Sequence, residues 1–313
     1  MENYNQTSTD FILLGLFPPS KIGLFFFILV VLIFLMALFG NLSIMLLIFL
    51  DTHLHTPMYF LLSQLSIIVL NHISIIVPKM VSSNFLFGNK SMSFIGCGVQ
   101  SFFFLTLGGA EALFLTSMAY ARYIAICFPL HYSSRMSKRV CVLMIIGSWI
   151  MGFVNSCAHT TYAFHVPYCQ SRAINHFFCN VPAMLTLACM DTWVYEYTVF
   201  MSTILFLMLP FIGIACPYGR VVLAVYHMHS AEGRKKVYST CSTHLTVVTF
   251  YYVPLFYTYL HPRSLRSPTK DKVLAVFYTI LTPVLNPIIY SLRNREVMGA
   301  LRRVIQRICT EKM

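Results

Sequence analysis

A chain of 313 residues that is 58% hydrophobic and only 10% charged, with a mean hydropathy of +0.72, is excluded from the soluble domains, which carry about 25% charged residues. Its formal net charge of +12 comes from basic residues scattered over short loops, which argues against nucleic acid and for contact with anionic lipid. The composition is that of a polytopic membrane protein.

The first ten residues lack the basic stretch and cleavage site of a signal peptide, so the first apolar run is expected to act as an uncleaved anchor. Runs long enough to cross about 30 Å of hydrocarbon lie at 24–50, 57–81, 97–127, 140–163, 194–226, 237–260 and 271–291. This predicts an all-α bundle of seven transmembrane helices over 24–291, an extracellular N-terminus over 1–23, and a cytoplasmic amphipathic helix and tail over 292–313. Seven spans put the termini on opposite sides. With the N-terminus outside, 14 of the 22 Lys and Arg fall on the inner side, the bias expected of a plasma-membrane protein in that orientation. Asn5-Gln6-Thr7 and Asn89-Lys90-Ser91 are then outer glycosylation sequons. Asn5 is the better acceptor, because a short loop close to the bilayer is a poor one.

In the first span, Gly40 permits close packing and Asn41 can bond across helices. Pro57 suits the first turn of the second helix, so the loop before it is tightly turned. The third span holds Glu111, the only acid in the hydrocarbon core, and ends near Arg122. Eleven residues of helix place Glu111 on nearly the same face, about 16 Å from Arg122, and Phe104 about 27 Å from it. A buried carboxylate is a functional candidate, with a hydrogen-bonded structural glutamate as the alternative. Arg122 itself reads either as an interfacial arginine or as a switch. His159 and His165 near the end of the fourth span read as interfacial. Cys97, Cys169, Cys179 and Cys189 fall on the outer side, where disulfides form, and allow three connectivities. No CxxC pair supports zinc or another metal. After the last span, Val297, Leu301, Val304, Ile305 and Ile308 recur at helical spacing between arginines, the pattern of an amphipathic helix on a membrane surface, and Cys309 is a candidate palmitoylation site.

Four motifs carry a resemblance. Leu54 to Ser66 (LHTPMYFLLSQLS), Met118 to Cys127 (MAYARYIAIC), Lys236 to Thr246 (KVYSTCSTHLT) and Pro283 to Val297 (PVLNPIIYSLRNREV) resemble, in order, signatures of the vertebrate olfactory receptors. These belong to the rhodopsin-like G-protein-coupled receptors, and the short loop between spans 6 and 7 resembles the tetrapod-type class. The resemblance implies disulfides Cys97–Cys179 and Cys169–Cys189, and a coupling switch formed by Arg122, Tyr123, Tyr218, Asn286, Pro287 and Tyr290. It also implies an odorant and a heterotrimeric G protein as partners, a stimulatory olfactory-type protein and cAMP as the output, no cofactor and no enzymatic activity. Three positions depart from the family pattern: Val69 replaces an aspartate that partners Glu111 and Asn286, Ala121 replaces the acid that restrains Arg122, and Pro217 replaces a serine.

A cavity between helices, apolar with a few polar groups, is the expected site for a small volatile. Depth and face place Phe104, Leu105, Gly108 and Gly109, with Ser202, Thr203 and Phe206, and Pro254, Leu255 and Thr258 around it. Tyr251 joins them through the family's Phe-Tyr pair. Phe104 stands where amine receptors place an aspartate, which disfavours a cationic amine. A transporter predicts repeats or several intramembrane charges, and neither is present. An intramembrane enzyme predicts paired acids or a Ser/His pair at matched depth, and none is evident in the sequence. Val69 and Ala121 together raise the alternative of a receptor remnant with impaired signalling.

Overall fold

The first helix, α1, begins where the Ser20 hydroxyl accepts from the Gly23 N–H at 3.0 Å and runs over Lys21–Leu50. It is apolar on every side and leaves Phe25, Phe39 and Phe49 exposed, as a lipid-facing helix does. The computed structural model describes residues 10–16, 20–82, 90–169, 171–191, 193–260, 267–292 and 295–310. Helix α2 spans Pro57–Val81, with Pro57 in its first turn. Helices α3 (Phe94–Cys127) and α4 (Lys138–His165) are capped by Ser93 and Ser137. Helix α5 covers Trp193–Tyr226 and α6 covers Ala231–Leu260. Helix α7 runs continuously through Pro268–Val276, Phe277–Leu281 and Thr282–Leu292, and α8 is Arg295–Thr310.

Each helix matches one expected span, and several begin earlier because capped polar turns project beyond the apolar run. Among the described residues, six of the seven long helices are apolar enough to cross a membrane by composition. The other is α6, whose first turns carry Arg234, Lys235 and Lys236 and whose middle is the polar run Ser239–Thr246. The all-α seven-helix bundle with a terminal amphipathic helix is thus the architecture found. Helices α5 and α7 each contain one π turn, Ile204–Met208 and Phe277–Leu281. Pro210 and Pro283 follow within two residues; a proline removes an N–H from the ladder, and a widened turn accommodates the loss.

Helix α3 occupies the centre, packed on α2, α4, α5 and α6. Leu61, Leu65 and Ile68 of α2, Phe114 and Met118 of α3, and Val247 and Tyr252 of α6 share one buried cluster. In lipid, helices associate through close packing and a few polar bonds. A Cβ on Gly109 would stand 3.2 Å from the Gly152 Cα, and one on Gly152 would overlap the Thr106 carbonyl, so α3 and α4 cross with almost no separation. Gly40 brings α1 equally close to Pro287 of α7, and the Asn41 amide donates to the Ala37 carbonyl at 2.8 Å and across to Pro283 at 3.1 Å.

Both disulfides, Cys97–Cys179 and Cys169–Cys189, are formed at the bundle end opposite Arg122. The same end carries a small sheet absent from the expectation. Strand β1 (Phe11–Leu13) lies between β2 (Ser91–Met92), antiparallel, and β3 (Ala173–Ile174), parallel. Strands of two or three residues leave no readable alternation in a sequence. They nevertheless bury Phe11 and Leu13 completely and tie the N-terminal segment to two loops.

Candidate functional site

Behind the disulfides lies a cavity with about 100 Å³ of free space. A dry engineered cavity of about 150 Å³ holds benzene, so the scale is that of a very small molecule. Phe104, Leu105, Gly108 and Gly109 of α3 form one wall, and Ser202, Thr203 and Phe206 of α5 face them. Tyr251 and Leu255 of α6 complete the ring. Tyr251 is held by its hydroxyl, which donates to the Gly108 carbonyl at 2.7 Å and bridges α6 to α3. Two expected lining residues do not reach the space. Pro254 and Thr258 are buried elsewhere on α6, where the Thr258 hydroxyl donates to the Pro254 carbonyl at 2.9 Å.

The polar side of the cavity joins the expected Ser202 to residues that sequence reasoning missed. His159 is not interfacial: it is 5% exposed and lines the cavity with Asn155. Its Nε2 lies 3.1 Å from the Ser202 hydroxyl, which donates to the Asn155 Oδ1 at 2.6 Å. With the serine proton committed to Asn155, the serine oxygen accepts from His159 Nε2–H. That leaves His159 Nδ1 as a buried acceptor without a partner among the described residues. A Ser/His pair at matched depth therefore does exist. The serine points its proton at an amide oxygen, away from the imidazole, so the histidine does not activate it as a nucleophile. The signal in the sequence was Asn155 and His159 spaced by four, one face of a helix.

His72, also missed, enters from α2 and packs edge-on against Phe104, with ring centroids 4.9 Å apart. Its Nδ1 lies 3.5 Å from a Glu111 carboxyl oxygen, and each side chain is 3% exposed. His72, one turn further along α2 than Val69, is the side chain beside Glu111, but neither of its ring nitrogens has a hydrogen-bond partner among the described residues, so it does not replace the aspartate's bonds. Asn286 is 3% exposed, and neither side-chain polar atom has a hydrogen-bond partner among the described residues.

The segment after β3 roofs the cavity. The Cys179 N–H donates to the Gln100 Oε1 at 2.9 Å, and the Ser101 hydroxyl donates to the Cys179 carbonyl at 2.6 Å. Phe178, fully buried, meets Phe104 at 4.7 Å between centroids. His176 beside it is 2% exposed, and burial, reinforced by the nearby Lys272 charge, pulls its pKa down to about 3.

At the opposite end Arg122 is 4% exposed, and its Nη1 donates to the Thr240 carbonyl of α6 at 2.7 Å. One turn along α6, His244 Nδ1 is 2.9 Å from the Tyr218 hydroxyl of α5. These bonds join α3, α5 and α6. Tyr123 instead packs against Phe128, with centroids 5.7 Å apart, and Pro287 abuts Gly40. The Tyr290 side chain and both sequons, Asn5 and Asn89, lie outside the described residues. Nearby, Asp51 at the end of α1 is 1% exposed and receives two N–H groups from Arg303 of α8, at 2.9 and 2.7 Å. Burial pushes its carboxyl up, but the His53 N–H and the Arg303 guanidinium outweigh that and hold it at about 2. Tyr59 of α2 donates to Glu296 of α8 at 2.7 Å. The apolar stripe of α8 is accordingly divided: Val297 and Ala300 are buried against the bundle, while Leu301 and Ile305 face outward.

Comparison with known proteins follows the same outline. Residues 30–312 match the family model described as olfactory receptor. The chain is 80% identical to human olfactory receptor 2L8 and to human olfactory receptor 2L3, each over 313 residues and the whole of both chains. It is 51% identical to mouse olfactory receptor 2V1 over 304 residues, covering 97% of this chain and 96% of the relative.

Proposed function

We propose that this chain, which belongs to the olfactory receptor family and is a multi-pass membrane protein, binds a small, mostly apolar volatile in the cavity between α3, α5 and α6 and activates a stimulatory olfactory-type G protein. The observation that carries the reading is that the same three helices wall the cavity at one end and meet at Arg122, Thr240, Tyr218 and His244 at the other. The disulfide end faces the exterior and α8 the cytoplasm in this reading, with Asn5 and Asn89 as outer glycosylation sites.

A ligand shifts the equilibrium only by binding one packing better than another. The Tyr251 bond to Gly108 fixes α6 against α3 beside the cavity. A molecule that fits better when that contact loosens favours a packing in which Thr240 leaves Arg122 and an inner crevice opens. A second reading, a folded chain that signals poorly, is favoured by Asn286, whose amide is buried without a hydrogen-bond partner among the described residues. Both are tested by cAMP output in cells carrying the stimulatory G protein, comparing this chain with Ala121→Asp and Val69→Asp, singly and combined. A working receptor responds to some member of an odorant panel without reversion. Responses confined to the double reversion at equal surface expression support the remnant.

A further inference from the structure

The roof leaves open how a ligand reaches the cavity. Pro182 of the roof segment lines it, Phe177 and Phe178 are buried beside it among residues of α1, α2 and α7, and their segment is pinned by the Cys97–Cys179 disulfide and by bonds to Gln100 and Ser101. The N-terminal strand β1 is hydrogen-bonded on both edges beside them. Direct descent from water past this roof requires the covalently tied segment to move.

A second space lies on the membrane side. It holds about 320 Å³ between the outer half of α5 and the last turn of α6. It shares Pro182, Tyr195, Val199, Thr203 and Tyr259 with the cavity, so these five form a partition seen from both sides. Phe200, Ile204 and Met208 line only the second space, and Phe200 is 59% exposed on the surface that faces lipid. From Glu196 at its rim the slot follows α5 to Met208, twelve residues further on, about 18 Å of helix. Its floor coincides with the π turn Ile204–Met208, where α5 is locally widened.

We infer that the slot between α5 and α6 is a lateral entrance, through which small apolar molecules dissolved in the bilayer pass behind Val199 and Thr203 into the cavity. It rests on the reading of that cavity as the ligand site. The occupant in transit is a volatile without net charge: such a molecule concentrates in hydrocarbon before it meets the protein, whereas an ion does not. Glu196 stands at the rim and the apolar residues lie deeper, so the slot opens at headgroup level and leads inward along α5.

The test uses the full chain in nanodiscs and an aryl diazirine, a small apolar photoprobe that partitions into the bilayer. Flash photolysis at stepped times after mixing, with peptide mass spectrometry, follows labelling of Phe104–Gly109 in the cavity and of the α1 lipid face as reference. Ile204→Trp blocks the slot at a residue that does not line the cavity. Ile204→Cys, folded first and then capped with a bulky maleimide beside identically treated wild type, blocks it without a demand on folding. Both are expected to slow labelling of Phe104–Gly109 about tenfold or more while the final extent and the α1 signal stay unchanged, since a barrier on the path alters rate and not affinity. An unchanged rate in the capped protein overturns the entrance and leaves the cavity standing. Absence of cavity labelling in the wild type, with α1 labelled, overturns the cavity reading and the entrance with it.

Discussion

In the proposed function, Arg122, which has no adjacent acid, is the residue on which signalling turns. Its guanidinium is not idle: the 2.7 Å bond to the Thr240 carbonyl ties α3 to α6, and Ala121, 1% exposed, contributes nothing to holding it. A buried arginine needs acceptors, and with the carboxylate missing a backbone oxygen serves. Ala121→Asp would give the guanidinium a competing charged acceptor on its own helix and weaken the tie to α6. The expected result is a larger odorant-evoked cAMP response at equal surface expression, and an unchanged response would remove Arg122–Thr240 from the switch. In the cavity the comparable residue is Ser202, which completes the chain from His159 to Asn155. Ser202→Ala takes the partner from the buried His159 Nε2 and from the half-buried Asn155, at about 1–3 kcal/mol. A lower melting temperature in detergent is expected, whereas Thr198→Ala, an exposed hydroxyl bonded only to its own helix at Val194, should be near neutral. Equal shifts for the two would mean that the cavity network contributes nothing to stability. Polar cavity residues were hard to read from sequence for a physical reason: Asn155, His159 and His72 are facing residues only once α2, α4 and α5 are turned toward α3, and a helix's rotation is set by contacts such as Gly109 on Gly152.

At the scale of elements, two pieces outside the spans behave as clamps. Helix α8 was legible as an amphipathic surface helix, but its attachment was not, because Asp51 and Arg303 are 252 residues apart. Removing one partner of a buried pair costs more than removing an exposed charge. Arg303→Ala, which leaves the Asp51 carboxylate buried with only His53 beside it, is expected to lower thermal stability more than Arg302→Ala on the exposed face. Indistinguishable melts would show that the clamp is not a stability element. The roof behaves differently with pH. His176 has a folded pKa of about 3 and an unfolded value near 6.5, so the unfolded chain takes up a proton that the folded one refuses. Its contribution to stability is complete above the unfolded value and is lost as pH falls from about 6.5 toward 3, by about 1.4 kcal/mol per pH unit within that window. His176→Gln is expected to flatten the fall in melting temperature between pH 7 and pH 4.5. A slope identical to wild type would mean that the roof opens before the bundle unfolds.

Across the whole molecule, what sequence disclosed most readily was what lipid enforces. A span must satisfy its own backbone and stay apolar for its full length, so seven runs in the chain became seven long helices. Even α6, with its basic start and polar centre, showed such a run over 237–260. The small sheet and the slot beside α5 escaped notice because they arise from contacts between distant segments and leave no period in the chain. Orientation is the remaining global property, and the inner excess of Lys and Arg argues for it only through the bias of membrane insertion. Glycosylation tests it at the cost of two substitutions. With the disulfide end outside, Asn5 enters the lumen during synthesis and receives a glycan, and Asn89, in a short loop against the bilayer, receives little or none. A glycosidase-sensitive mobility shift is therefore expected in the wild type, greatly reduced by Asn5→Gln, and absent when Asn89→Gln is added. A shift that survives both substitutions would place a glycan on a segment assigned here to the membrane or the cytoplasm. The assignment of Arg122 and α8 to the G-protein side would then fail with it.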